Sequence, residues 1–302
     1  MHSVTCLLLA LLALAAMPAS AGVYRDAGAA AYQFLKLEVS PRASALGGTV
    51  LLNSGGFGVL NSPAATASLD GGAFVASHGE YFGSVAQNCI AMISASGRWR
   101  FSGAVSSVSA SGLELRQEAT SEPEGTFSVW NIAMAGGAAV RTGPLDLGVS
   151  LKLIREKIHT DGSWGFSVDA GAIARPLPWL EAGIALLNAG PSIEYARYDS
   201  YRLPLTWRAG TRVSAALPYA GPASLVAEVF KPIDNDAGGA LGAEFLPVRW
   251  LALRAGTHIG DDSRSFTAGA GLTAGGWTLD YAWVPGEYSL GDIHRISLSR
   301  SL

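Results

Sequence analysis

The chain has 302 residues, a net charge of −3 and 15% charged residues, so it lacks the basic footprint of a nucleic-acid binder. Mean hydropathy is +0.27 and 49% of residues are hydrophobic, yet no second apolar run beyond the N-terminal leader reaches the roughly 18 residues that a membrane helix needs. With 37 glycines, each costing a helix interior about 1 kcal/mol, a helical core is disfavoured and a β-rich core or a membrane barrel is left.

Residues 6–16, CLLLALLALAA, form an apolar core too short to span a bilayer, and Ala19-Ser20-Ala21 follows as a small-x-small cleavage site. The leading residues offer His2 but no Lys or Arg. This pattern predicts a secretory signal peptide over 1–21, the alternative being a buried N-terminal helix. The mature chain would start near Gly22, lose Cys6 and keep one cysteine, Cys89. One cysteine makes no intramolecular disulfide, and no residues show metal-ligand spacing, so neither a metal nor a cofactor is expected.

The stretch QFLKLEVSPRASALGG, residues 33–48, carries helix-start and helix-stop signals around a very short turn. Asp26 is placed to cap a helix through AGAAAYQFLK. Ser40, with Pro41 at the first helical position, is placed to cap a second turn that Gly47 stops.

From residue 72 onward a two-residue alternation recurs, the strand template. In LDLGVSLKLIRE, Leu145, Leu147, Val149, Leu151 and Leu153 share one face, while Asp146, Gly148, Ser150 and Lys152 share the other. WGFSVDAGAIAR repeats this with Trp164, Phe166, Val168, Ala170 and Ala172 against Gly165, Ser167, Asp169 and Gly171. About 14 to 16 such segments are separated by turn signals at 142–144, Asp161-Gly162, 176–178, 234–239 and Gly275-Gly276. Longer links fall at 119–125 and 189–203. Short and long connections in alternation fit an all-β, up-and-down antiparallel transmembrane barrel in one domain, 22–302, with strands over 72–302. A soluble secreted β-sandwich also alternates and is the competing fold. Against it stand apolar faces about five alternate positions long and aromatics gathered near strand ends: Trp99, Trp164, Trp179, Trp250, Trp277, Tyr281 and Trp283.

The start QFLKLEVSPRASALGG, then LNSPAATASLDG, LGVSLKLI, LLNAGP, GAEF, LALRAG, LDYAW and LGDIHRISLSRSL together resemble the PorV/PorQ family of outer-membrane proteins, itself related to FadL-type transporters of hydrophobic compounds. The resemblance implies a 14-stranded barrel in the bacterial outer membrane, with an N-terminal segment, 26–48, folded into the lumen as a hatch. Gln33, Phe34, Leu35, Lys36, Arg42, Gly47 and Gly48 would belong to that hatch; a helix docked outside the rim is the alternative. Many relatives read Asn-Pro-Ala-Gly after the hatch, whereas this chain has Asn61-Ser62-Pro63-Ala64-Ala65, which displaces Asn61 from Pro63 in the expected post-hatch loop. Barrels of this kind usually end on an aromatic residue; here Leu302 stands there, with Ile296 and Leu298 in outward parity.

No catalytic constellation is found. His2, His78, His159, His258 and His294 are scattered singly, without an HExxH motif or a Gly-x-Ser-x-Gly elbow, so an enzyme is not expected. Glu228, Glu244, Arg254 and Asp280 have parity opposite to the apolar stripe of their strands. An arginine on the lipid face would cost about 2 to 4 kcal/mol near the midplane, so parity puts all four in the lumen, as a structural ion-pair network or as selectivity groups. Arg254 is the expected hub: Glu244 on the strand before it across the link 247–249, Glu228 one strand earlier, and Asp280 beyond Gly269 and Gly271.

Two functions follow from the resemblance. One is a FadL-like barrel whose hatch gates passage of a hydrophobic or small amphipathic solute. The other is an interaction or shuttle component of a type IX-like secretion process that binds secreted proteins or secretion-machinery components. Outer-membrane lipids are expected partners in both cases.

Overall fold

The computed structural model describes residues 27–82, 84–116, 122–159, 161–194, 200–260, 266–287 and 291–302. The expected leader, with His2, Cys6 and Gly22, lies outside the described residues, as does Asp26. Seven strands come first: β1 (Ala73–Tyr81), β2 (Val85–Ser96), β3 (Trp99–Leu115), β4 (Gly125–Thr142), β5 (Leu145–Ile158), β6 (Asp161–Leu177) and β7 (Leu180–Ala189). Two short strands, β8 (Ile193–Glu194) and β9 (Ser200–Tyr201), pair only with each other. Then follow β10 (Thr206–Leu217), β11 (Gly221–Pro232), β12 (Gly238–Val248), β13 (Leu251–Ile259), β14 (Phe266–Ala274), β15 (Trp277–Val284) and β16 (Ile293–Ser301).

All but β8 and β9 close into one antiparallel barrel of 14 strands, in which β7 pairs with β10 and β16 returns to β1 from Ala73↔Ser301 to Glu80↔His294. Closure overturns the sandwich alternative, because no sheet edge is left to make two layers. The alternation reads directly into the wall: on β5, Leu147, Val149, Leu151 and Leu153 are exposed, while Asp146, Gly148, Ser150, Lys152 and Ile154 are buried inside. Leu151 is 56% exposed and its partner on β6, Val168, 44%; the next outward pair, Leu153 and Phe166, is 45% and 51% exposed. A contiguous apolar belt of this kind is far larger than a water-facing surface tolerates, and it suits lipid. Trp99, Trp250 and Trp277 ring one end of the belt; Trp130, Trp164, Trp207 and Trp283 ring the other. Trp130 and Trp207 were not among the expected girdle residues, Tyr281 lies within β15 rather than at its end, and Trp179 occupies the turn after β6.

Tight turns join the strands at the first rim, including Gly143-Pro144, Pro178-Trp179 and Gly275-Gly276. Longer links, 116–124, 190–205 and 285–292, lie at the other. Two expected turns shift: Asp161 and Gly162 are paired inside β6, opposite Ile158 and Lys157, and the reversal before them uses His159 at φ 54°. The link between β12 and β13 is Arg249-Trp250, because a bulge after Phe245 carries Pro247 and Val248 into β12.

A 14-stranded barrel is too wide for its own side chains to fill. Residues preceding β1 supply the filling as a string of single turns: 3-10 turns at Gln33–Lys36, Gly55–Phe57 and Pro63–Ser68, and short helices α1 (Pro41–Ala45), α2 (Val50–Asn53) and α3 (Gly58–Asn61). These turns touch the wall all round: α1 against β13 to β16, α2 against β7 and β10, α3 against β3 to β5, the turn 55–57 against β1 and β2, and the turn 63–68 against β3 to β6. The segment therefore lies inside the wall, not against the outer rim. Ser40 caps α1 by accepting the Ala43 N–H at 3.3 Å, with Pro41 at the first position, and Gly47 and Gly48 end it at φ 76° and 86°. The expected helix through AGAAAYQFLK is absent: Gly28 and Tyr32 are left-handed, at φ 74° and 53°, and only Gln33–Lys36 turns. The filling also runs 20 residues past the expected end at Gly48, to Ser68. Asn61 and Pro63 accordingly sit in α3 and in a 3-10 turn, buried, rather than in a loop.

Candidate functional site

The first half of the inner segment, 33–53, is held to the wall by charge and hydrogen bonds. The three-residue repeat of a 3-10 turn puts Gln33 and Lys36 on one side, and both grip Asp234 in the link after β11, at 2.7 and 3.0 Å. Burial works to raise the pKa of Asp234, but the hydrogen bonds from Gln33 and Lys36 and the Lys36 charge outweigh it and hold this carboxyl below the usual range. The opposite side of the turn is apolar: Phe34 joins Tyr32, Val108, Ala133 and Ile154, with Leu35 packed against them. Glu38 pairs with Arg295 at 3.6 Å. Arg42 makes a two-pronged contact with Glu244, Nε to Oε2 at 3.0 Å and Nη2 to Oε1 at 2.7 Å.

Glu244 is shared. Arg254 donates to it through Nε at 2.7 Å and to Asp280 through Nη1 at 2.6 Å, so Arg254, Glu244 and Asp280 do form one cluster. Glu228 does not join them. The register places it opposite Ala240, four residues along β12 from Glu244, or about 13 Å at strand rise. There it accepts from Arg208 at 2.6 Å and from the Leu51 backbone N–H of α2 at 2.9 Å. The expected room at two glycines is used in two ways. Gly271 leaves space for the Arg254 guanidinium and Asp280, whereas the space at Gly269 is taken by Ala45 of α1.

At the end of α1, a Cβ on Gly47 would lie 2.4 Å from the Thr257 carbonyl oxygen, so only glycine fits between the inner segment and β13. Its N–H donates to Thr267 Oγ1 at 3.0 Å, and its carbonyl lies 3.0 Å from His258 Nδ1. The Gly48 N–H turns back to the Ala43 carbonyl at 2.9 Å. Arg212 closes this half, donating to the Leu52 carbonyl, to Asn53 Oδ1 and to Glu181 at 2.6 Å.

The second half, 54–68, is held differently. Its hydroxyls bond within the segment: Ser54 to Val50, Ser62 to Leu51, Thr66 to Pro63 and Ser68 to Ala65. Phe57, Val59 and Leu60 pack with Val75, Cys89 and Ile93 of β1 and β2. On the opposite wall, a Cβ on Gly148 would come within 2.3 Å of the backbone between Pro63 and Ala64. Between the two halves and β2 to β5, a gap of 20 Å³ beside Phe34, Leu60 and Asn61 has room for about one water.

Sequence parity also marked, without naming them as a network, the inward groups Lys152 and Asp169. They pair at 2.7 Å with side chains 1% and 0% exposed, and Asn188 bridges them. Arg208, Arg212 and Arg295 were missed, although the same parity argument places each of them inside. Among the described residues no group of three or more His, Cys, Asp or Glu has metal-binding geometry.

No protein-family model matches the sequence, and no curated protein does. Solved structures do. The CymD monoaromatic hydrocarbon channel superposes with a TM-score of 0.66 at 12% identity, covering 88% of this chain and 98% of that one. The deltaS2S3 mutant of the TodX monoaromatic hydrocarbon channel gives 0.65 at 10% identity, covering 88% and 100%. A FadL homologue of Pseudomonas aeruginosa gives 0.53 at 11% identity, covering 88% and 99%. The chain therefore has the fold of FadL-like outer-membrane barrels, two of which are named as channels.

Proposed function

We propose that this chain is an outer-membrane channel through which a hydrophobic or small amphipathic solute passes when the inner segment yields. The observation that carries this reading is the seating of residues 33–68 across the lumen of a lipid-facing barrel, the first half by ion pairs added to apolar contacts and the second by apolar packing. The fold shared with monoaromatic hydrocarbon channels supports the solute class, and the PorV/PorQ kinship enters through the sequence fragments alone. The test is uptake of a labelled monoaromatic hydrocarbon by cells whose outer membrane limits entry. Expression of the barrel raises uptake several-fold over cells carrying an unrelated closed barrel; equal uptake overturns the reading.

A further inference from the structure

Where β6, β7 and β10 to β12 reach the short-turn rim, the inner wall opens into two adjoining cavities of 460 and 400 Å³ that share Pro178, Trp179, Arg212 and Ser214. Arg175 and Glu181 line the first, and Arg42 of the inner segment and Glu244 line the second. Three guanidiniums thus face this basin against two carboxylates. Both carboxylates are shared between arginines: Glu181 accepts from Arg175 at 2.8 Å and from Arg212 at 2.6 Å, and Glu244 from Arg42 and Arg254. Arg42 lies close enough to Arg212 for their like charges to repel.

A guanidinium carries five N–H donors, and these pairs do not use them all. Arg42 donates to Glu244 through Nε and Nη2 and keeps Nη1; Arg175 donates through Nε to Glu181 and through Nη1 to Asp146 and keeps Nη2. Over the whole connected set, Arg42, Arg141, Arg175, Arg212 and Arg254 stand against Asp146, Glu181, Glu244 and Asp280, so the surplus is one positive charge with unused planar donors, beside an indole and two prolines, Pro178 and Pro222. That combination suits a monovalent planar anion on an apolar body. A dianion such as phosphate would meet Glu181 and Glu244 at close range and gain less.

We infer that this basin binds the carboxylate of a small amphipathic acid, its apolar part laid against Trp179. The inference deepens the passage reading by giving the solute a charged head and one mouth of the lumen a docking point, but binding and passage are measured separately.

The full-length barrel in a neutral maltoside detergent is titrated calorimetrically with 4-phenylbutyrate and with its uncharged amide. The acid binds at least about tenfold tighter than the amide, the scale of one or two charge-assisted hydrogen bonds, and the gap narrows as salt is raised. Arg42→Gln and Arg175→Gln each remove most of the gap and leave amide affinity unchanged. Equal affinities in the unsubstituted protein overturn the inference without recourse to any variant, and so does displacement of the acid by inorganic phosphate at equal concentration. Should the gap be present while expressing cells take up neither compound, the basin stands and the passage reading falls. Uptake of both compounds without a gap has the opposite meaning: passage stands and the basin falls.

Discussion

The two halves of the inner segment both pack apolar groups on the same barrel, but only the first adds a set of ion pairs to the wall. Residues 33–53 reach Asp234, Arg295, Glu244, Glu228 and Arg212, so part of their attachment rests on charge and the rest on Leu46, Leu51 and Leu52 in the apolar core. Residues 54–68 satisfy their own hydroxyls and press apolar groups and bare backbone against β1 to β6. Burial of apolar surface is indifferent to salt and weakly dependent on pH, whereas ion pairs are neither. On the proposed passage reading, the part of the segment that yields is the first half, while the second half behaves as core.

The largest expected effect separates the halves outright. Deleting 28–48 leaves a heat-modifiable, assembled barrel whose single-channel conductance in planar bilayers rises several-fold, while deleting 54–68 abolishes assembly. Assembly surviving both deletions would erase the distinction. Next comes Gly148→Leu, which drives a side chain into the Pro63-Ala64 backbone. Overpacking of this kind costs about 1 to 3 kcal/mol, read as a lower unfolding midpoint in detergent that added salt does not alter. Arg254→Ala removes a donor to two carboxylates and lowers the same midpoint by the equivalent of about 1 to 3 kcal/mol. Glu244→Gln in that background costs little more, because the two share a cluster; additive losses would separate them.

The smallest effect concerns the rim. The Asp234 carboxyl titrates below its ordinary value, so its grip on Gln33 and Lys36 adds stability that is fully present above the unfolded carboxylate value of about 4 and fades as pH falls through the folded one. Lys36 is partly exposed, so the contribution stays below about 1 kcal/mol. Hydrogen exchange at 33–38, corrected for intrinsic rate, shows faster opening for Asp234→Asn than for the unsubstituted chain at neutral pH, and the two converge in acid.

Strand periodicity made the barrel legible because each wall residue faces either lipid or lumen, and LDLGVSLKLIRE records that choice residue by residue. Parity also placed Glu228, Glu244, Arg254 and Asp280 inside. It gave no information on height along the barrel, which is why Glu228 was assigned to the wrong guanidinium: the register, not the parity, separates it from Arg254. The inner segment was half legible. Ser40-Pro41 and Gly47 announce α1 through local chemistry, but turns of four residues such as α2 and α3 carry too little periodicity to be read and are held by the wall around them. The inward glycines 148, 242 and 256 were a signal of close backbone approach that alternation alone could not interpret.

The pairing of β1 with β16 is the last stitch that a chain of this connectivity can make, and the inner segment precedes β1. Its first helix, α1, rests on β13 to β16, the strands that come last in sequence. Residues some two hundred positions apart, such as Arg42 and Glu244, can meet only once β12 is in place, late in the chain. The same ion pairs that fasten the segment act on the clock of biogenesis: a chain lacking Arg42 would circularise around a loosely held insert, and its defect would be read in the half-time of closure before it appeared in the finished protein.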